Sequence, residues 1–341
     1  MLLIVSGAIL AAILLFTLLL TMKMLTPLRL LAKKAGSIAM ADFSSEEGSL
    51  LAETAEGLPV EQKDEVGQLA LSFVNMARAL SQNIKKLVEA TAASQRMLGE
   101  LAAAREIQMG ILPPPESAPG GGACSVSVLL HSAKEVGGDL YDFFTAPDGR
   151  QVVVVGDVSD KGVPAALFMS MTVTLVRYAI ADGLSCADAM ARINDRLAEN
   201  NPSCMFVTLF IGLFDPATGV LDYASGAHCP PFAVGAGEGT PVRKLAETSG
   251  PLVGAMPGME FKPCRAVLGH GEYCLLYTDG VSEAMNKEQE LFGEDRIGQV
   301  LEGLHGAGVE EVIRKVMQAV EEHRGMEPQS DDITMLCFKR T

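Results

Sequence analysis

The sequence of 341 residues has no tryptophan, only five histidines and seven cysteines, and its cysteines form no CxxC pair. An odd number of scattered cysteines does not suit a disulfide framework, and without paired spacing it does not suit a zinc site. We therefore predict that the cysteines are reduced residues of a cytosolic core. The missing tryptophan carries no functional message.

Basic residues are also scarce, since 27 lysines and arginines stand against 42 aspartates and glutamates, for a net charge of −15. The first 36 residues hold four basic residues and no acidic one, which leaves −19 on the rest of the chain. A surface of that sign repels phosphate backbones and anionic headgroups. The sequence therefore predicts no nucleic-acid partner, and it argues against a chain that lies flat on anionic lipid.

Charge is absent from residues 2–22, which are apolar or small. A run of about 20 such residues is long enough to cross a bilayer as a helix. A secretory signal peptide is the alternative, but no basic region precedes the run, the run is too long, and no small-residue cleavage site follows it. Four basic residues follow, and the positive-inside tendency places the rest of the chain in the cytoplasm: Lys23, Arg29, Lys33 and Lys34. We therefore predict a single-pass inner-membrane protein with a transmembrane helix over residues 1–23.

Residues 24–85 resemble a HAMP signalling linker. Pro27 is placed to open a first helix, and Asp64 and Glu65 to open a second after a polar connector at residues 42–63. Apolar residues of the second helix recur in steps of three and four, as packing in a parallel bundle requires. They are Val66, Leu69, Phe73, Met76 and Leu80. The alternative is an ordinary amphipathic helix.

Residues 86–115 are predicted to form a helical stalk, because they are rich in Ala, Glu, Gln and Lys and end in three prolines that begin at Pro113. The apolar stripe is too weak for an autonomous coiled coil, so we expect a homodimer held through the HAMP-like linker and the stalk. A glycine run at residues 120–122 completes a flexible boundary. Residues 116–341 are then one large domain.

Four short acidic motifs in that domain share one local design. They are EVGGD ending at Asp139, GDVSD with Asp157, YTDG with Asp279 and SDDIT with Asp331. Apolar runs at residues 152–155, 274–277 and 333–338 predict buried strands, so the carboxylates project from strand ends. Carboxylates that converge in an apolar cleft raise one another's pKa unless a cation is present. Oxygen ligands without histidine or cysteine indicate Mg²⁺ or Mn²⁺ rather than zinc.

From about Ile107 to the C-terminus the chain resembles the metal-dependent protein serine/threonine phosphatases of the PPM (type 2C) family, in its SpoIIE/RsbU-like branch. Eight fragments in the family's order and near its spacings carry the resemblance. They are AREIQMGILP, EVGGDLYDFF, VVVGDVSDKGVPAALFM, FVTLFIGLFDPATGVLDYASGAHCPP, SGPLVGAMP, LLYTDGVSEA, FGEDRI and SDDITML. One TDG or GGD arises by chance in many proteins, whereas eight ordered fragments do not.

The resemblance implies a set of metal ligands, residue by residue. Four aspartates match the family's metal-binding aspartates: Asp139, Asp157, Asp279 and Asp331. Asp157 matches the one that bridges two metal ions, and the Val158 carbonyl matches a neighbouring oxygen ligand. In the family, two Mg²⁺ or Mn²⁺ ions hold a water or hydroxide that attacks the phosphorus of phosphoserine or phosphothreonine directly. Paired metal ions suffice for this chemistry, so no histidine nucleophile is required.

Each of these residues also has a structural interpretation, because strand-end aspartates beside glycine are common turn formers. Lys161 is placed to attract a substrate phosphate or is simply solvated, and His228 is interpreted as structural. Asp160 stands where the branch more often has glycine, and it either recruits a metal ion or faces water. The role of Asp332 stays open. We find no match to the arginine with which animal members of the wider family hold phosphate.

The predicted fold is an α/β (α+β) sandwich of two central, mainly antiparallel sheets, with flanking helices at residues 163–181, 185–199, 292–304 and 309–322. The predicted function is hydrolysis of phosphoserine or phosphothreonine on a signalling protein. The resemblance implies that this partner is a phosphorylated STAS-domain protein of the anti-anti-sigma type. Two alternatives stay open: a catalytically silent signalling scaffold that binds such a partner, and a metallohydrolase of small phosphates. The presence of all four matched aspartates favours an enzyme over the scaffold.

Overall fold

The computed structural model describes residues 2–39, 58–61, 63–115, 123–237, 239–245 and 249–341. The predicted glycine boundary at residues 120–122 and most of the predicted connector at residues 42–63 lie outside these ranges. The chain forms two compact units, Met1–Leu98 and Gly99–Thr341.

The first unit begins with a strongly apolar helical run. Helix α1 spans Leu2–Leu20 and continues through a π-helical turn at Thr21–Leu25 into helix α2 at Thr26–Ala39. Its polar groups are satisfied internally, since Thr17 Oγ1 donates to the Ile13 carbonyl oxygen at 2.8 Å. Thr21 Oγ1 likewise donates to the Thr17 carbonyl oxygen at 2.7 Å. The run is long and apolar enough to cross a membrane.

Helix α3 spans Glu65–Ile111, so the predicted second HAMP helix and the predicted stalk are one continuous helix. Asp64 caps its start, because its Oδ1 accepts a hydrogen bond from Gly67 N–H at 3.0 Å. The helix ends two residues before Pro113, as the ring's missing N–H predicts.

Helices α2 and α3 share a small core within the first unit. Leu31, Leu58, Ala70 and Val74 are buried together, and Phe73 packs against them. Three residues of the predicted stripe are instead 51%, 56% and 37% exposed: Leu69, Met76 and Leu80. Helix α2 therefore does not cover these three residues, and their packing in a parallel bundle stays a prediction. Steps of three and four fit two neighbouring stripes of this helix, and α2 packs on the one with the smaller side chains.

The second unit is a sandwich of two five-stranded sheets with the orders β1-β10-β9-β6-β7 and β2-β3-β4-β5-β8. All neighbouring strands in these sheets are antiparallel, which confirms the predicted sandwich. The strands are β1 (Cys124–His131), β2 (Leu140–Thr145), β3 (Gln151–Val158), β4 (Val207–Phe214), β5 (Val220–Gly226), β6 (Phe232–Val234), β7 (Arg243–Lys244), β8 (Cys264–Val267), β9 (Tyr273–Tyr277) and β10 (Ile333–Arg340).

Helices cover both outer faces of the sandwich. Helices α4 (Val163–Ala181) and α5 (Cys186–Ala198) pack on the sheet that contains β3. Helices α7 (Glu294–Glu302) and α8 (Val309–Arg324) pack on the sheet that contains β10, and α6 is a single turn at Asp279–Ser282. All four predicted helices are present, with their ends within two residues of the prediction. Helix α4 is also apolar enough to span a membrane, but it is a partly buried core helix here.

The two faces of strand β9 explain why its sequence is a continuous apolar run. Cys274 and Leu276 belong to the core shared by both sheets. Tyr273, Leu275 and Tyr277 alternate with them and belong to the core beneath α7 and α8. All five side chains are fully buried. A strand covered on both faces has no alternation of polar and apolar residues that would mark where it ends. Its end is marked instead by the polar residues that follow it, Thr278 and Asp279.

Candidate metal centre

Four strands bring their aspartates to one end of the sandwich. Asp139 directly precedes β2, and Asp157 is the next-to-last residue of the antiparallel neighbour β3. In the other sheet, Asp279 follows the end of β9 by two residues, and Asp331 precedes the start of β10 by two. Each sheet therefore contributes two of the four aspartates that the sequence singled out.

Asp139 is the most enclosed of the four, with 3% of its surface exposed. Its Oδ2 accepts hydrogen bonds from Thr278 Oγ1 at 2.8 Å and from Thr334 Oγ1 at 2.5 Å. Both threonines are fully buried, and they come from the opposite sheet. These hydroxyls fix the carboxylate and leave its other oxygen available. Sequence reasoning passed over both threonines, although they lie inside the quoted YTDG and SDDIT motifs.

The carboxylates act strongly on one another. Burial raises the pKa of Asp139 well above its usual range, and the nearby charge of Asp157 raises it further. Burial and then the charge of Asp279 raise the pKa of Asp157 to about 7, while a hydrogen bond with Asp139 opposes that rise. Burial, Glu283 and Asp331 raise the pKa of Asp279. The cluster holds more negative charge than its surroundings stabilise, which a bound cation would relieve.

Asp331 and its neighbour Asp332 face different partners. The Asp331 carboxylate receives the Lys161 ammonium at 2.9 Å and the Asp332 backbone N–H at 2.8 Å. The buried Asp332 carboxylate turns toward the EVGG loop, where it accepts hydrogen bonds from Ala133 N–H at 2.7 Å and Gly138 N–H at 2.9 Å. Asp332 therefore holds the loop that carries Asp139, which answers the question that the sequence left open for this residue.

The glycines of the EVGG loop are required by close approach. A Cβ on Gly137 would lie 2.3 Å from an Asp332 carboxylate oxygen, and one on Gly138 would lie 2.8 Å from the Val158 carbonyl oxygen. Both distances are shorter than any real carbon contact. The loop thus brings Gly138, the residue before Asp139, against the Val158 carbonyl, which the family resemblance matched to an oxygen ligand.

The donor set fits a hard divalent cation, since it consists of carboxylate and carbonyl oxygens, and burial together with neighbouring carboxylates raises the pKa of three of the aspartates. In the described part of the chain, however, no three Asp, Glu, His or Cys side chains already surround one point as metal ligands do. Asp139 accepts hydrogen bonds from two threonines, and Asp331 contacts the Lys161 ammonium.

His228 lies buried behind the cluster, 3% exposed. Its Nδ1 is 3.0 Å from Thr208 Oγ1, and Thr208 is the cross-strand partner of Asp157. Burial lowers the pKa of His228 to about 4, so the ring is neutral at pH 7. A neutral ring in this position contacts strand β4 through Thr208, consistent with the structural interpretation of His228.

The end of helix α3 contacts the same loop inside the second unit. Gln108 Nε2 donates to the Gly137 carbonyl oxygen at 2.7 Å, and Gln108 Oε1 accepts from Gly137 N–H at 3.3 Å. Arg105 Nη1 donates to the Lys134 carbonyl oxygen at 3.3 Å. The side chain of Gln108 is buried, unlike most of the helix. Sequence reasoning did not select Gln108. Nothing distinguishes it from the other glutamines of this polar helix until its burial is known.

Two antiparallel sheets with helices outside and aspartates gathered at one end define a type 2C phosphatase fold. The chain belongs to the SpoIIE family, because the family model for stage II sporulation protein E matches residues 147–341, more than half of its length. The HAMP domain model matches residues 19–82.

Relatives agree with this membership. The chain is 31% identical over 306 residues to protein IcfG of Synechocystis sp., which covers 82% of this chain and 47% of IcfG. It is 26% identical over 267 residues to the phosphoserine phosphatase RsbU of Bacillus subtilis, which covers 77% of this chain and 72% of RsbU. The chain therefore spans about half the length of one relative and most of the other.

Solved structures agree on the fold. The SiaA-PP2C domain of Pseudomonas aeruginosa is 24% identical, with a TM-score of 0.63, covering 73% of this chain and 98% of that one. RsbX, solved in complex with magnesium, is 14% identical with a TM-score of 0.51, covering 66% of this chain and 99% of that one. The proteins that share this fold thus include one with a bound divalent ion.

Proposed function

We propose that this chain is a membrane-anchored, metal-dependent protein phosphatase that hydrolyses phosphoserine or phosphothreonine on a signalling protein. The observation that carries the proposal is the convergence of four aspartates from both sheets at one end of the sandwich, where burial and neighbouring charge raise the pKa of Asp139, Asp157 and Asp279. A carboxylate cluster built at a cost in electrostatic energy, from strands of both sheets, is typical of a functional site rather than of turn formation. Membership of the SpoIIE family supports the same activity.

The proposed ligands of two Mn²⁺ or Mg²⁺ ions are Asp139, Asp157, Asp279 and Asp331 with the Val158 carbonyl oxygen. Bound ions would supply a water of lowered pKa and neutralise the charge of the phosphate oxygens. The chain's own residues do the positioning. Thr278 and Thr334 orient Asp139, and Asp332 holds the loop that precedes it. Asp157, half-buried near the end of β3, would help to hold both ions, as the family resemblance implies.

The proposed substrate is a phosphorylated STAS-domain protein of the anti-anti-sigma type, as the resemblance to the SpoIIE/RsbU-like branch implies. The name of the relative RsbU, a phosphoserine phosphatase, supports phosphoserine as the group that is hydrolysed. Specificity would then come from docking of a folded partner around Asp139 and Asp157, because the sequence shows no arginine clamp for a phosphopeptide.

The apolar helix followed by a HAMP match favours membrane anchoring. We propose that the helix crosses the inner membrane once and that the second unit is cytoplasmic. We further propose a homodimer through the HAMP-like linker and stalk, on the exposed stripe of α3 that α2 leaves uncovered: Leu69, Met76 and Leu80. Single cysteines introduced on this stripe should form disulfide-linked dimers, whereas a cysteine at the buried Ala70 should not.

The test of the enzymatic proposal uses the full chain in detergent with phosphorylated STAS proteins from the same genome, and separately with short peptides that span their phosphosites. We expect Mn²⁺-dependent phosphate release from the folded proteins and much slower release from the peptides. Equal rates on peptides would contradict recognition by docking. A folded chain that binds the STAS proteins without releasing phosphate would support the silent scaffold instead, and comparable turnover of a generic aryl phosphate would support a small-phosphate hydrolase.

A further inference from the structure

Lys161 is the residue whose position the reaction described above does not use. It lies in the short loop between β3 and α4, flanked by two residues with left-handed backbones, Asp160 at φ 69° and Gly162 at φ 85°. A left-handed conformation is uncommon for aspartate, so this loop has a specific shape. That shape turns Lys161 toward the SDDIT motif, 169 residues further along the chain.

The Lys161 ammonium makes two contacts there. Its Nζ donates to the Ser330 carbonyl oxygen at 2.8 Å and lies 2.9 Å from Asp331 Oδ2. A positive charge thus lies against one of the proposed metal-binding carboxylates, through two oxygens of the kind that bind hard cations. Its charge also reaches Asp279, whose pKa it lowers against the larger effect of burial.

Stability does not account for this ion pair. The Lys161 and Asp331 side chains are 39% and 35% exposed, and ion pairs of that exposure contribute little to folding. The pair affects metal binding more than folding. An ammonium against Asp331 occupies a carboxylate that would otherwise bind a metal ion, and its charge repels an incoming dication.

We propose that Lys161 is a built-in counter-ion of the metal centre: its ammonium occupies Asp331 until a metal ion displaces it. Lys161 thereby sets the metal concentration that the site requires. This inference rests on the proposed metal site. It makes Lys161 a positioning residue that competes with the weaker of two bound ions, since Asp331 lies at the exposed side of the cluster.

The experiment is calorimetric titration of Mn²⁺ into the metal-free full chain in detergent. Lys161→Met and Lys161→Gln remove the charge, Lys161→Arg keeps it, and Lys315→Met removes a charge from an exposed site on the outer helix α8. We expect the two neutral variants at position 161 to bind the weaker ion about three- to tenfold more tightly than the wild type. Lys161→Arg and Lys315→Met should bind it as the wild type does. Thermal unfolding with and without Mn²⁺ gives a second readout of the same affinities.

Unchanged or weaker Mn²⁺ binding by both neutral variants, in chains that unfold at the wild-type temperature without metal, would overturn the role of Lys161 and leave the metal site intact. Tighter binding by Lys315→Met to the same degree would also overturn it, since net charge alone would then explain the effect. A folded wild-type chain that binds no Mn²⁺ would overturn the proposed function together with this inference.

Discussion

Gln108 and Gly137 are joined by two hydrogen bonds that use both ends of one side-chain amide, at 2.7 Å and 3.3 Å. This pair connects the last turns of α3 with the loop that carries Asp139. Gly137 has no room for a side chain, because Asp332 lies against its other face. The loop is therefore held from two directions, by a residue of the helix and by a residue of the C-terminal motif.

Replacing Gln108 with alanine should loosen the EVGG loop. The change leaves a buried N–H and C=O of Gly137 without partners, a loss of about 1–3 kcal/mol. We expect backbone amides at residues 135–139 to exchange hydrogen roughly tenfold faster or more, measured by mass spectrometry. Arg105→Ala is the matched control, since Arg105 makes an exposed contact with the same loop. Equal protection in Gln108→Ala and the wild type would show that the pair does not hold the loop.

Insertions in α3 should change phosphatase activity with helical periodicity. One added residue rotates everything beyond it by about 100°, and seven nearly restore the original direction. We expect one or two residues inserted after Ala90 to shift activity away from the wild type, and seven to recover it. The same series in a Gln108→Ala background should lose this periodicity. A smooth dependence on insertion length would instead make the helix a passive tether.

The sandwich was predicted from the family resemblance, whereas the four helices and the strand-end positions of the four aspartates were predictable because each depends on residues close in sequence. The apolar composition of residues 333–338 predicts a strand. The TDG motif, directly after the apolar run at residues 274–277, predicts an aspartate at the end of another strand. Contacts between distant residues were not predictable. Thr334 and Asp139 are 195 positions apart, and nothing in either motif indicates that a hydroxyl of one reaches a carboxylate of the other.

Long-range contacts also decide two features that the sequence left open: which stripe of α3 packs on α2, and what Lys161 contacts. The periodicity of α3 fits two neighbouring stripes, and only the position of Leu31 on α2 decides that Ala70 and Val74 are the buried ones. The sequence left Lys161 between a solvated residue and a phosphate contact, because the loop shape that aims it at Asp331 depends on Asp160 having a positive φ. A residue type alone does not reveal that conformation.

Asp157→Asn and Asp279→Asn should each abolish Mn²⁺-dependent phosphatase activity while the fold persists. Asparagine is nearly the same size as aspartate but lacks the charge that two dications require. We expect turnover to fall by several orders of magnitude, measured as phosphate release from a phosphoprotein, with unchanged circular dichroism. Asp160→Asn is the matched control, because Asp160 is exposed in the same loop region, and its activity should stay within about twofold. A variant of either ligand that keeps more than about a tenth of wild-type turnover, a loss of only about 1.4 kcal/mol, would remove that residue from the mechanism.

The metal-free chain should lose stability as the pH rises toward neutrality. Burial and neighbouring charge raise the pKa of Asp157 to about 7, well above its value of about 4 in the unfolded chain. A carboxyl with a raised folded-state pKa favours the folded state when it is protonated. Its contribution is fully present below about pH 4 and is lost as the pH passes through about 7.

We expect the second unit's free energy of unfolding in EDTA to fall by about 2–3 kcal/mol between pH 5 and pH 8, measured by hydrogen exchange or chemical denaturation. Asp157→Asn should make that slope shallower, because one of the three carboxyls with a raised pKa is gone. Saturating Mn²⁺ should also flatten it, because a dication stabilises the ionised carboxylate, so the stabilisation by metal should grow with pH. A metal-free wild-type chain that is equally stable at pH 5 and pH 8, or that gains stability over this range, would contradict the crowding of charge from which the metal centre is inferred.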